Sequence, residues 1–183
     1  MRGAWLFVSA LGFLVIWSCT NDLDQVMASM DEQDRPVLVT HDLKLMYSDS
    51  GKIRFVMEAP LRKVYQGKDP RSEMPKGLTT RFLDESGKEA STLRADSAVM
   101  YEKDNLVVAM GNVRVTNSFG EELSTSILYW RDNPDGEGLI YTDQLVEIKT
   151  KDKLLTGLGM TADRDFSPYR FLVPTGTIYL NED

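Results

Sequence analysis

The chain has 183 residues, 42% of them hydrophobic, which is enough to bury the core of one domain. A formal net charge of −7 argues against broad nucleic-acid binding and against a polybasic membrane-surface patch, since both need clustered Lys and Arg. Cys19 is the only cysteine, so an intrachain disulfide is excluded.

Met1-Arg2 gives a short positive start, and Ala4 to Trp17 is almost wholly apolar. That run falls below the roughly 20 residues a membrane-spanning helix needs. It has the make-up of the apolar region of a secretory signal, which places residues 1–18 in a signal peptide. Residues 19–36 are polar and acidic, with Asp22, Asp24, Asp31, Glu32 and Asp34, and read as a spacer. Val26, Met27 and Met30 lie three and four apart, which allows a short helix there.

Residues 37–183 read as a β domain. Val37 to Tyr47 is the first strand segment, with Leu43, Leu45 and Tyr47 in one phase. Ser48-Asp49-Ser50-Gly51 has hairpin-turn composition. In the return strand Ile53, Phe55 and Met57 alternate with Arg54, Val56 and Glu58. Gln66 to Gly77, with two prolines and two glycines, is expected to be the longest loop. Leu78 to Phe82 resumes a strand before the turn Asp84-Glu85-Ser86-Gly87. In Leu106 to Thr116, Val107, Ala109, Gly111, Val113 and Val115 share one phase of a two-residue period. Gly111 lies in that apolar phase, where a missing side chain permits a bend. Further turns fall at 102–105, 117–120, 133–138 and 150–152, and Arg170 to Val173 and Thr177 to Leu180 are the last strands. Turns roughly every ten residues mark an all-β sandwich or open barrel.

Several pieces carry a family resemblance: Ala95-Asp-x-Ala98, Gly111-x-Val113-x-Val115, Gly120-x-x-Leu123-x-Thr125-x-x-Leu128, Thr142-Asp143-x-x-Val146 and Leu155-x-Gly157-x-Gly159, with Tyr47 to Gly51, Phe55 and Ala59 upstream. Over about residues 37–165 the chain resembles the LptC family and the wider OstA-like β-jellyroll group. The resemblance implies an all-β, V-shaped, partly open antiparallel β-jellyroll. It implies a non-catalytic periplasmic carrier for lipopolysaccharide, which holds acyl chains in an apolar groove. The candidates for that groove are Ile53, Phe55, Met57, Phe82, Val107, Ala109, Val113, Val115, Leu128, Val146, Ile148 and Leu155, with Gly111, Gly157 and Gly159 as bend glycines. The implied partners are inner-membrane Lpt ABC transporter subunits at the N-terminal edge and an LptA-like bridge protein at the C-terminal edge. Ile16-Trp17-Ser18-Cys19 also resembles the lipobox of bacterial lipoproteins, with Trp17 where a small residue is usual. That likeness implies acylation of Cys19 and a domain anchored to the inner membrane from the periplasm; an uncleaved signal anchor is the alternative.

No catalytic constellation stands out. His41, the only histidine, reads as an exposed strand or loop residue, and no metal or cofactor is expected. Asp163 and Asp165 form a carboxylate pair of the kind glycoside hydrolysis uses, yet strand ends collect Asp for structural reasons. The Gly157-x-Gly159 pair does not open a helix as a phosphate loop requires. Met100, Met110 and Met160 suit either a lipid groove or ordinary core packing. The sequence leaves a second reading open: a structural envelope lipoprotein whose β-core is packed shut and carries no lipid.

Overall fold

The computed structural model describes residues 35–131, 138–163, 166 and 168–176. The expected signal peptide, Cys19, nearly all of the spacer, Asp165 and the strand at 177–180 lie outside the described residues. Within them are eleven strands: β1 (Leu38–Asp49), β2 (Lys52–Tyr65), β3 (Arg71–Met74), β4 (Leu78–Leu83), β5 (Glu89–Ala95), β6 (Ser97–Tyr101), β7 (Leu106–Asn117), β8 (Glu122–Arg131), β9 (Leu139–Lys149), β10 (Leu154–Asp163) and β11 (Tyr169–Pro174). All pair antiparallel in one sheet. The fold is thus an all-β jellyroll-type sheet.

Two segments differ in detail from the expectation. The first hairpin turn is tighter than its composition suggests, because β1 runs to Asp49, opposite Lys52. Only Ser50 (φ 52°) and Gly51 (φ 79°) remain in the loop, and two positive φ angles are the mark of a type I′ turn. The stretch 66–77 is not one loop, because it contains β3. Its sequence Arg-Ser-Glu-Met has little strand character of its own, but pairing with β2 and β6 on either side imposes the extended form.

The pairings resolve into nine rungs among the described residues. β3 and β4 form one rung broken at Pro75-Lys76-Gly77, and β5 and β6 form another broken at Asp96. β2 therefore offers its far end to β3 (Lys63↔Glu73) and its near end to β4 (Met57↔Thr80). β7 does the same with β6 (Ala98↔Ala109) and β5 (Leu93↔Val115). The other rungs also break in the middle. β1 and β2 skip the Asp42/Pro60 pair, β7 shifts register between Met110 and Val113, β8 between Thr125 and Tyr129, and β10 between Leu158 and Met160. These breaks line up from strand to strand into a column of corners. Pro60 sits in it at no cost, since its missing N–H falls where the ladder is already open.

The corner residues have the backbone that a sharp bend needs. Gly77 (φ 88°), Gly111 (φ 76°) and Gly159 (φ 71°) are left-handed, as are Asp42 (φ 50°) and Asn112 (φ 43°). Gly111 also meets its neighbour closely. The Asp96 N–H donates to the Gly111 carbonyl at 2.9 Å, and Asn112 Nδ2 donates to Asp96 Oδ2 at 2.7 Å. A Cβ on Gly111 would lie 2.9 Å from that carboxylate oxygen. Where bending frees carbonyls, threonines take them up. Thr142 Oγ1 donates to the Ile127 carbonyl at 2.6 Å, and Thr125 Oγ1 to that of Leu145 at 2.9 Å.

Each rung thus has two halves, and the halves stack into two arms, one containing β4 and β5 and the other β3 and β6. Phe55 of β2 and Trp130 of β8 show that the arms face each other. Four strand spacings, about 19 Å in a flat sheet, separate β2 from β8. Their rings nevertheless meet at 5.5 Å between centroids. On the outer face, Glu58 (β2) accepts a bond from Arg81 Nη2 (β4) at 2.8 Å and lies 3.4 Å from Lys44 Nζ (β1), which ties the edge strand to its neighbours. The Arg81 bond, helped by Lys44 and opposed by slight desolvation, holds the Glu58 carboxyl below its ordinary 4.5.

Two outcomes are expected. Gly111→Val, which needs a left-handed β-branched residue against Asp96, should destabilise the fold by about 1–3 kcal/mol in thermal unfolding. Because the Glu58 pKa is depressed on folding, its contribution is present above the ordinary 4.5 and is lost as pH falls through the lower folded value. The unfolding midpoint of Glu58→Gln should therefore fall less steeply below pH 4.5 than that of the parent, as a pH series of melts would show.

Candidate functional site

The candidate site is the space between the arms. On the β4–β5 arm the inward residues are Phe55, Met57, Ala59, Leu78, Phe82, Leu93, Val113, Val115, Leu123, Val146 and Ile148. On the β3–β6 arm they are Met74, Ala98, Ala109, Leu128, Ile140, Met160 and Ala162. All are buried and belong to one continuous apolar cluster. Nine of the twelve groove candidates thus lie in it: Phe55, Met57, Phe82, Ala109, Val113, Val115, Leu128, Val146 and Ile148. The other three, Ile53, Val107 and Leu155, sit toward the strand ends and are partly or largely exposed. They mark the rim of the seam between the arm tips.

The seam is filled by its own side chains. A void of about 20 Å³ lies between Met57, Phe82, Leu93, Val107, Leu128 and Trp130, and another of about 20 Å³ between Val115, Leu123, Ile148, Phe166 and Tyr169. A lipid or drug-sized ligand needs some 300–1,000 Å³. In this conformation the arms are packed against each other. Among the described residues, strand pairing runs within one arm or the other and never joins the two sets of tips. Side-chain packing is what brings the arms together.

The rim is aromatic on one side. Tyr47 stacks on Phe55 at 5.0 Å, and Trp130 meets both Phe55 (5.5 Å) and Phe82 (5.4 Å) edge-on. Tyr169 packs at the other end against Phe171, and burial pushes its phenol above the ordinary range, so it stays neutral. Beside Met100, the interior of the β3–β6 arm turns polar. Arg62 Nη2 donates to Ser72 Oγ at 2.8 Å, Ser72 donates to Glu102 at 3.2 Å, and Arg62 and Glu102 pair at 3.5 Å. Trp130 Nε1 and Ser91 Oγ are buried without a hydrogen-bond partner.

The remaining candidates fall as follows. Gly111 and Gly159 are corner residues. Gly157 has no positive φ; it lies in regular strand under the Phe171 ring, which a Cβ would strike. Met160 is core, Met100 packs on it and Met110 is only half-buried near a corner. His41 is exposed on β1, and Asp163 ends β10 on the surface. Ser91, Trp130 and the Arg62–Ser72–Glu102 network are not among the sequence-predicted candidates, and Tyr47 enters there only as a residue of the first hairpin. Trp130 shares the two-residue phase of Leu128, which is the signal that would have found it.

A family model described as "Lipopolysaccharide-assembly, LptC-related" matches residues 5–167. The chain belongs to the LptC family. No curated protein matches it. LptC proteins are non-catalytic components of lipopolysaccharide export, on the periplasmic side of the inner-membrane Lpt system. For this LptC-family chain, the seam between the arms is the feature to which that role must be related.

If the interior is packed as described, Leu128→Ala should cost about 2–5 kcal/mol in denaturant unfolding, through lost contacts and a cavity. A cost under about 1 kcal/mol would mean that the two arms do not press on Leu128.

Proposed function

We propose that this LptC-family chain carries lipopolysaccharide by taking acyl chains into the seam between its arms. The observation that supports this is a single apolar face, continuous over the rungs, whose opposed halves are held by packing and not by strand hydrogen bonds across their tips. Dispersion and hydrophobic contact are non-directional. An acyl chain can replace one arm's side chains as partner to the other's, whereas a hydrogen-bonded seam would lose its ladder. Every pair of apolar surfaces kept from water contributes about 25 cal/mol per Å². Opening the arms about their corners exposes this face, and cargo covers it again. The partly exposed Ile53, Val107 and Leu155 would be the first residues a chain meets.

The edge strands of the sheet, which have one neighbour each among the described residues, supply the docking sites in this reading. Exposed Val37 precedes β1, which carries exposed Leu38 and Val39, and β11 carries Leu172 and Val173. Open edges add strands from partners. β1 would meet the transporter subunits of the inner membrane, and β11 an LptA-like bridge protein. Acylated Cys19, or an uncleaved signal segment, would tether the domain to the inner membrane. One observation favours a second reading, a structural envelope lipoprotein with a closed core: the two voids described in the seam are each of about 20 Å³.

Photo-crosslinking residues at Ile53, Phe55 and Leu155 separate the readings. The carrier reading expects lipopolysaccharide to be captured in cells at these three positions and not at outward-facing Arg114 or Lys149. Capture at neither set, from a folded protein, would leave the closed-core reading standing.

A further inference from the structure

Among the described residues, three buried polar side-chain atoms lack a hydrogen-bond partner: Arg54 Nε, Ser91 Oγ and Trp130 Nε1. Arg54 lies on the outer face, alternating with Ile53 and Phe55, and its guanidinium pairs with Asp49 at 3.8 Å. The other two lie in the seam. Ser91, on β5, is 1% exposed and sits directly opposite Phe82 of β4 in the ladder. Phe82 in turn meets the Trp130 ring at 5.4 Å. The two donors therefore flank one phenylalanine, one on each arm. Both are near the arm tips: Ser91 is the third residue of β5 and Trp130 the penultimate residue of β8.

Buried hydroxyl and indole groups are ordinarily paired, because leaving them dry and unpartnered is costly. An alanine or phenylalanine at these positions would fill similar space without that cost. Two such donors in a largely apolar seam mark a place for an acceptor that arrives with an apolar body. A water there would find little to bond, since the nearby void is lined by apolar side chains apart from Thr80 and Trp130 and does not border Ser91.

We propose that Ser91 and Trp130 each donate to a carbonyl oxygen of an acyl linkage, the ester or amide by which a fatty chain joins its head group. This inference rests on the carrier reading and adds to it the depth and direction of the cargo. Each donor meets its own acyl carbonyl near the tip of its arm, the two separated by Phe82. The hydrocarbon then runs inward over Met57, Leu93 and Leu128, and the head group stays at the rim in water. The subsite is selective for chemistry rather than length, because a hydrocarbon lacking a carbonyl leaves both donors dry.

The test compares two probes on the full-length protein in non-ionic detergent: a phosphatidylglycerol with short ester-linked chains, and its ether-linked counterpart, which lacks the carbonyls. The parent is expected to bind the ester about tenfold more tightly. Ser91→Ala combined with Trp130→Phe should bind both probes equally, near the parent's ether affinity. Ser91→Ala alone should keep or raise the thermal midpoint of the lipid-free protein, since it removes an unpaired hydroxyl; a lower midpoint would show a structural bond and overturn the proposal. Equal binding of both probes by the parent overturns the subsite while leaving the carrier intact. Binding of neither probe overturns the subsite too, while the carrier reading stands or falls on lipopolysaccharide capture at Ile53, Phe55 and Leu155.

Discussion

The fold depends on the need to hide one apolar face of a long sheet. Eleven strands in a single layer would leave Phe55, Phe82, Leu128, Ile140, Val146 and their neighbours wet on one side. Among the described residues the one helical element is the single 3₁₀ turn Glu102–Asp104, too short to cover them. The sheet covers itself by bending every rung at the same place. The bend is possible only because the column of corners concentrates residues that accept positive φ, lack a donor, or carry a short side chain able to bond a freed backbone group. Gly77, Gly111 and Gly159 do the first, Pro60 the second, and Thr125 and Thr142 the third.

Two kinds of force then act in different directions. Along the stack, backbone ladders fix spacing and register, and outer-face pairs such as Glu58–Arg81 reinforce them. Across the seam, contact is almost wholly apolar, with the Arg62–Ser72–Glu102 network confined to one arm. The directional bonds therefore specify the rungs, while the soft contacts decide how closely the arms approach. On the carrier proposal, this division of labour would let the interior admit cargo without unravelling the rungs.

The strand pattern was legible in the sequence because alternation survives within each half-rung. Phe55 and Met57, Val113 and Val115, and Val146 and Ile148 each keep their phase. The corners were harder to see. In β8 the inward residues pass from odd (Leu123, Thr125) to even (Leu128, Trp130), and in β10 from Leu155 and Gly157 to Met160 and Ala162. A period-two reading that starts at one end assigns the other half to the wrong face. β3 was missed for another reason: its residues are polar, and its neighbours make it a strand. The filled state of the seam was not legible either. Apolar alternation specifies which side chains face inward, and the distance between opposed faces is set by long-range packing.

Each rung hydrogen-bonds only to the rung before it and the rung after it, so the ladder follows the order of synthesis. Closing any one rung costs the entropy of a short loop, and no strand must wait for a distant segment of chain. Such a ladder can zip from whichever end first becomes free. For a polypeptide threaded through a translocation pore, early rungs could then form while later ones are still in transit, which shortens the time that sticky surface is left bare.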